Sequence, residues 1–412
     1  IMMNDKTYYR SNLLILNLVF FFLFDSILSQ TKIDIKELVG FENFISNEIK
    51  EGEIAGAEVL IFKNNNIIWH KNLGYRNYSS KSPLKKNSIY YIQSMTKPII
   101  SVAIMQLIEK GQLKLDDLAE SYIPEMKNLK VIIDPNKGID GPVKDIERKI
   151  TIKQLLTHTS GLSHGLGESL YEKQLFKLMY NELFDPADYV KLEQRIEALF
   201  KAPLISQPGE KWYYSASTDL LALILQRITK NPINRYLKEN IFDPLEMNDT
   251  GYNVNLNKED RIMMVHLKNE EGELILSPTQ VPIQGNTLYG GTHGLFSSIE
   301  DYLQFCRMIL NNGKLNGKKI LSKKSVKLMI KNHVQNFLGS SRGFGLGFGV
   351  LVDAEKESSP ANDGQIYWGG YFKTHFFIDH KEDLIAIFMT QKFPDSYEYV
   401  VELNKYVYRA IQ

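Results

Sequence analysis

The sequence predicts an α/β + α architecture: an antiparallel sheet built from both chain ends, flanked by helices, with a mostly helical region inserted between its halves. Three observations predict it. Two strand-like segments, 57–63 and 67–74, lie near the start of the chain. Four more, 346–353, 365–368, 374–379 and 384–391, lie near its end. Between them, from 94 to about 250, apolar residues recur at helical spacing. The sheet part is therefore placed at about 36–93 and 285–412, and the helical part at about 94–284, in one domain over 30–412. The crevice between the two parts is where a site is expected.

Each element has a local reason. The first two strands flank Asn64-Asn65-Asn66, a hairpin signal. Thr151-Ile-Lys-Gln154 is a capping box that opens a short helix. Residues 220–228 continue as a further apolar helix. The last two strand segments flank the polar turn His380-Lys-Glu-Asp383. The first 29 residues differ from the rest. Lys6 and Arg10 precede an apolar run over 13–24, interrupted by Asn17, and Ser29 offers a cleavage position. A run of about 12 apolar residues is short for a bilayer span. It fits a signal peptide, with an uncleaved N-terminal anchor and a buried helix as the alternatives. The expected location is secreted or periplasmic.

Composition excludes several classes. With 49 basic and 48 acidic residues the net charge is +1, which gives no electrostatic basis for binding nucleic acid or an anionic membrane surface. No integral membrane domain is expected beyond the possible N-terminal anchor. The single cysteine, Cys306, forbids an intrachain disulfide and reads as a buried thiol on an amphipathic helix. The eight histidines show no metal-ligand spacing, and His158 reads as a hydrogen-bonding turn residue. No metal or cofactor is expected. His293, in a glycine-rich segment, could line the cleft.

Three serines have a lysine three residues on: Ser29/Lys32, Ser82/Lys85 and Ser94/Lys97. Ser29 sits at the cleavage position and Ser82 precedes Pro83 in a polar loop. Ser94 alone opens a long apolar helix, which Gly111 stops. Proline is tolerated only in a helix's first turn, so Pro98 sets the start near Ser94. The hydroxyl then lies at the positive end of the helix dipole, and Lys97 lies on the same face. Burial would lower the lysine pKa and free the amine to take the serine proton. The competing reading makes Ser94 a helix cap and lets Lys97 extend to solvent. Tyr214 follows the turn Pro208-Gly209, and a phenol near an amine can relay a proton.

Ser94-Met-Thr-Lys97, Tyr214-Ser215 and Trp368-Gly369-Gly370 occur in the order of three motifs. The set resembles the class C β-lactamase and penicillin-recognising serine hydrolases, and most closely their β-lactamase-like (family VIII type) esterases. The stretches 150–161 and 290–298 with Asp301-Tyr302 fit as well, and the similarity runs over about 36–395. The resemblance implies a β-lactamase/transpeptidase-like fold and an acyl-enzyme route. In it Ser94 is the nucleophile, and Lys97 and Tyr214 share acid and base work. The backbone N–H groups of Ser94 and Tyr371 form an oxyanion hole, the latter expected on an edge strand. Trp368, Gly369 and Gly370 contact the substrate.

The chain departs from the lactamase pattern at two positions. Ala216 stands where Tyr-x-Asn has its amide, and Trp368-Gly369-Gly370 replaces Lys-Thr-Gly. Losing that cation and hydroxyl should cost an anionic substrate ~2–4 kcal/mol of binding. The expectation is therefore a carboxylesterase-like serine hydrolase whose partner is a small, uncharged ester. Lys373 and His375 lie close enough in sequence to restore positive charge, which leaves a penicillin-binding D-Ala peptidase or weak β-lactamase as the alternative. A non-catalytic binding protein on the same fold is a third reading. Gly-x-Ser-x-Gly occurs around Ser163 and Ser341, but neither serine has the strand before it and helix after it that a nucleophile elbow needs.

Overall fold

The computed structural model describes residues 33–180, 189–335, 337–393 and 398–411. The expected leader over 1–29 and the Ser29/Lys32 pair lie outside the described residues.

Eight antiparallel strands form the main sheet: β1 (Gly56–Lys63), β2 (Asn66–Asn77), β3 (Ser82–Pro83), β4 (Arg342–Phe344), β5 (Gly349–Leu351), β6 (Ile366–Gly370), β7 (Thr374–Asp379) and β8 (Leu384–Met389). Their order is β4-β5-β6-β7-β8-β1-β2-β3. The two chain ends meet where β1 pairs with β8, with Leu60 opposite Ile387. Asn64 and Asn65 both adopt positive φ between β1 and β2, as a two-residue hairpin turn requires. The strand expected over 346–353 is shorter, and β4 pairs beside it. Gly343 and Gly345 hid β4, since glycine lowers strand propensity.

Helices cover both sheet faces. The described helices that position the site are α1 (Ile35–Lys50), α2 (Thr96–Glu109), α3 (Ile152–Leu156), α4 (Leu192–Leu199), α5 (Ser217–Thr229), α6 (Ile299–Leu310) and α7 (Glu398–Ile411). Side chains of a strand alternate between faces. Val59, Ile61, Ala386 and Phe388 point to one side, where they join Phe41 of α1 and Leu403 of α7. Leu60, Phe62, Ile385 and Ile387 point to the other, into the core shared with α2, α5 and α6. With both faces covered, Leu384–Met389 is apolar throughout instead of alternating.

The region between the sheet halves carries α2 to α5, as the helical spacing predicts. It also contains a hairpin of Lys130–Ile132 with Val143–Asp145 that the sequence reading missed. Among the described residues, no helix is long and apolar enough to cross a membrane. Cys306 is buried on α6, and burial pushes its thiol well above the usual range.

Thr151 caps α3 as expected. Its Oγ1 accepts from the Gln154 N–H at 3.2 Å, and Gln154 Oε1 accepts from the Thr151 N–H at 2.9 Å. Thr151→Ala removes the first of these bonds and should lower stability by ~1 kcal/mol. Urea unfolding would show this as a lower midpoint at unchanged slope.

Candidate active site

Ser94 lies in a 3₁₀ turn, Gln93–Met95, that runs directly into α2. Gln93 has a φ of 48°, a left-handed conformation that is rare without glycine. The turn is held from several sides. The Ile92 N–H donates to the Leu295 carbonyl at 3.0 Å, and the Tyr302 hydroxyl donates to the Met95 carbonyl at 3.0 Å. Strained backbone of this kind persists only where its surroundings over-determine it. Pro98 sits in the first turn of α2, as its missing N–H requires.

Three groups meet at this turn. Lys97 Nζ lies 3.1 Å from Ser94 Oγ, and the Tyr214 hydroxyl donates to the same oxygen at 2.8 Å. Lys97 also donates to the Thr292 carbonyl at 2.9 Å. Its amine sits 4.6 Å from the centre of the Tyr214 ring. Lys97 is 1% exposed, so the reading in which it reaches solvent does not hold. Burial holds its amine well below the ordinary lysine range. The Asp219 carboxylate opposes that shift and the Arg195 guanidinium adds to it.

The segment carrying Tyr214 is docked onto the 158–165 loop. The Gly209 N–H donates to the Thr159 carbonyl at 2.7 Å, and the Tyr213 N–H to the His158 carbonyl at 2.8 Å. His158 Nδ1 lies 3.0 Å from Ser215 Oγ, so this histidine is a hydrogen-bonded turn residue. Ser163 is buried with both Glu172 carboxylate oxygens within 2.8 Å, and Ser341 bonds Glu357, so each look-alike serine is engaged by a carboxylate. His293 Nδ1 lies 3.1 Å from the Tyr91 hydroxyl. Among the described residues, no group of acids, histidines or cysteine could hold a metal ion.

The third motif lies on β6. This strand is interior to the sheet, not the edge strand expected. Its pairing with β5 ends at Gly349–Tyr367, however, so Trp368, Gly369 and Gly370 run on past β5 with one side open. The backbone before Ser94 lies against Gly370 and Thr374, with the Thr374 hydroxyl donating to the Ile92 carbonyl at 3.5 Å. A Cβ on Gly370 would overlap Thr374 Oγ1 and lie 2.5 Å from the Ile92 carbonyl oxygen. Glycine is thus required by the close approach of the strand and the backbone before Ser94. Tyr371 follows in the β6–β7 turn, which the Lys373 N–H closes onto the Gly370 carbonyl at 3.0 Å.

The wall of the cleft is aromatic. The Trp368 ring centre lies 5.4 Å from that of Tyr214 and 5.1 Å from that of Phe344. Trp212 stacks on Tyr214 at 6.2 Å and lies 5.8 Å from Phe344. Lys373 pairs with Glu398 of α7 at 3.3 Å and stacks on Tyr399. His375 is buried, and burial lowers its pKa to about 3, so it is neutral. The sequence reading missed Thr292, Asp219, Arg195, Trp212 and Phe344. Asp219 and Arg195 were detectable only as charges on otherwise core-facing helices.

This geometry belongs to a β-lactamase/transpeptidase-like serine hydrolase scaffold, and the comparisons agree. The model of the Beta-lactamase family matches residues 41–405. Protein Rv1367c of Mycobacterium tuberculosis is 31% identical over 360 residues, covering 84% of this chain and 87% of its own. Esterase EstB of Burkholderia gladioli is 25% identical over 365 residues, covering 83% and 87%. The solved structure of EstCE1, described as a hydrolase with promiscuous acyltransferase activity, superposes with a TM-score of 0.77. It is 23% identical and covers 90% of this chain and 99% of its own. The chain belongs to the Beta-lactamase family, and its relatives group it with that family's esterase-like branch.

Two outcomes follow from the packing. Gly370→Ala should displace the Ile92 carbonyl and the turn it precedes, lowering kcat at least tenfold, read by steady-state kinetics. Lys97→Met should raise the melting temperature at neutral pH. The folded-state pKa of Lys97 is depressed, so the unfolded chain holds an extra proton at every pH between the two values. That difference destabilises the native state, and the penalty fades as pH rises toward the unfolded value near ~10.4. The stabilisation by Lys97→Met should therefore shrink between pH 7 and 10, measured by thermal unfolding across that range.

Proposed function

We propose that the protein hydrolyses small, uncharged carboxylic esters through an acyl-enzyme on Ser94. The observation that carries this reading is the placement of Lys97 Nζ and the Tyr214 hydroxyl within 3.1 Å of Ser94 Oγ, in a cleft whose third motif carries no cation, with Lys373 paired to Glu398 and His375 neutral.

The chemistry follows from the groups present. Ser94 Oγ attacks the acyl carbonyl while its proton passes to the neutral Lys97 amine, with the Tyr214 hydroxyl bonded to the same oxygen. The C–O bond to the alcohol breaks, and the alcohol leaves with the proton relayed through Tyr214. Water then attacks the acyl-enzyme, gives its proton to the same pair, and releases the acid and free Ser94. The N–H groups of Ser94 and Tyr371 are the donors offered to the oxyanion. The first lies at the helix start and the second at the turn pressed against it. Developing negative charge is further favoured at the N-terminal end of α2.

Specificity rests on the third motif. Lys-Thr-Gly would present a cation and a hydroxyl to a substrate carboxylate. Trp368 presents an indole face instead. Lys373 is engaged with Glu398, and His375 carries no charge. A carboxylate bound here would lose its water without gaining a charged partner, which costs ~1–3 kcal/mol or more. The names of relatives such as EstB are consistent with an ester substrate.

Turnover of p-nitrophenyl acetate and butyrate tests the assignment. Ser94→Ala should abolish it, and Lys97→Ala should lower kcat by ~10²–10⁴, the usual range for a lost general base. Equal rates in wild type and Ser94→Ala would overturn the proposal. Faster acylation by a fluorescent penicillin than by either ester would favour the peptidase reading.

A further inference from the structure

Behind Lys97 lies a buried ion pair that the three motifs do not include. Asp219 and Arg195 are both wholly inaccessible, and Arg195 Nε lies 3.2 Å from Asp219 Oδ2. The other carboxylate oxygen, Oδ1, accepts from two successive backbone N–H groups, Gly291 and Thr292, each at 2.8 Å. Thr292 is the residue whose carbonyl receives Lys97 Nζ at 2.9 Å. One carboxylate therefore grips the peptide that grips the amine. The approach is tight. A Cβ on Gly291 would overlap the Thr218 carbonyl oxygen, so the 291–292 backbone lies directly on the first turn of α5.

The pair also reaches Tyr214. Arg195 Nη2 donates to the Tyr180 hydroxyl at 2.9 Å, and that hydroxyl lies 2.7 Å from His164 Nδ1. The His164 ring is 5.2 Å from the Tyr214 ring. Asp219 itself follows Tyr214 by five residues at the start of α5. A closed circuit of contacts thus joins the amine to the phenol through the ion pair. A buried pair of this kind contributes little net stability compared with apolar residues of the same volume. Its placement, linked to Lys97 through Thr292 and to Tyr214 through Tyr180 and His164, points to the reaction.

We infer that Arg195 and Asp219 are positioning residues for the Ser94 reaction: the carboxylate fixes the Thr292 carbonyl against Lys97, and the guanidinium fixes the carboxylate. This rests on the acyl-enzyme reading of Ser94. The two charges act on the Lys97 amine in opposite senses. The Asp219 carboxylate favours the ammonium form, and the Arg195 guanidinium disfavours it. The other titratable groups facing the amine are Tyr214, His158, His164 and His293. The three histidines are buried and held neutral, their pKa values well below the usual range. Asp219 and Arg195 are then the charged groups whose removal should shift the amine.

The test is the pH dependence of Ser94 labelling by a fluorophosphonate, with thermal unfolding measured alongside. The rate should rise with pH as Lys97 loses its proton. Asp219→Asn leaves the cation alone behind the amine, so this acid limb should move to lower pH. Arg195→Met leaves the anion alone, so the limb should move to higher pH. Both variants should also be labelled more slowly. A purely structural role would lower the melting temperature in both while leaving the limb in place or moving it the same way, and either result overturns the inference. If a single variant does not fold, Arg195→Met/Asp219→Ala takes its place, since it leaves no unpaired charge. Its labelling at the pH plateau should fall at least tenfold, and a wild-type rate would overturn the inference. If wild type is labelled at Ser94 and these expectations fail, the acyl-enzyme reading stands without this pair. If wild-type Ser94 is not labelled, both fall together.

Discussion

A lysine amine sealed away from water at the junction of sheet and helices is the constraint on which the site depends. An amine in that position loses hydration and disfavours its charged form, so it needs a fixed acceptor and a reason to stay. The Thr292 carbonyl is the acceptor, and the Ser94 hydroxyl and Tyr214 ring occupy the remaining sides. Four separate stretches of chain must therefore converge to within a few ångströms: the start of α2, the 291–292 backbone, the 214 segment and the end of β6. Each has its own anchor. Leu295 holds the turn at Ile92, Asp219 holds 291–292, the 158–165 loop holds 214, and Gly370 admits β6.

The same junction explains why the cleft is electrically quiet. The Arg195 and Asp219 charges face one another, the nearby histidines are neutral through burial, and Lys373 is engaged with α7. Aromatic rings supply the wall instead. Tyr214, Trp368, Phe344 and Trp212 pack in a closed ring, so the face beside Ser94 is apolar. Under the proposed function, Ser94, Lys97 and Tyr214 supply the nucleophile and proton relay, and no motif cation is there to select an anion.

Much of this was legible in one dimension, for local reasons. The Asn64-Asn65 hairpin, the Thr151/Gln154 box and the strand Thr374–Asp379 each depend on residues a few positions apart. Pro98 placed the helix start, and with it Ser94 and Lys97 on one face. What escaped notice depended on partners distant in the chain. β4 is short and glycine-broken, and exists because β5 pairs with it. β6 is an interior strand whose last residues behave as an edge, a property set by where β5 stops. Asp219 is an acid in the first turn of α5 and Arg195 a charged residue of α4, and residue type alone pairs neither with the other. Only packing shows that each is the other's partner.

The sequence by itself determined the element types, the order of the three motifs and the absence of a motif cation, because these follow from residue identity and short-range spacing. Tertiary structure decided the rest. It buried Lys97, brought Tyr214 to Ser94 across 120 residues of chain, turned Lys373 to Glu398, and set an ion pair behind the amine. Burial and proximity are properties of the fold, and they govern the charge of an amine more strongly than its neighbours in sequence do.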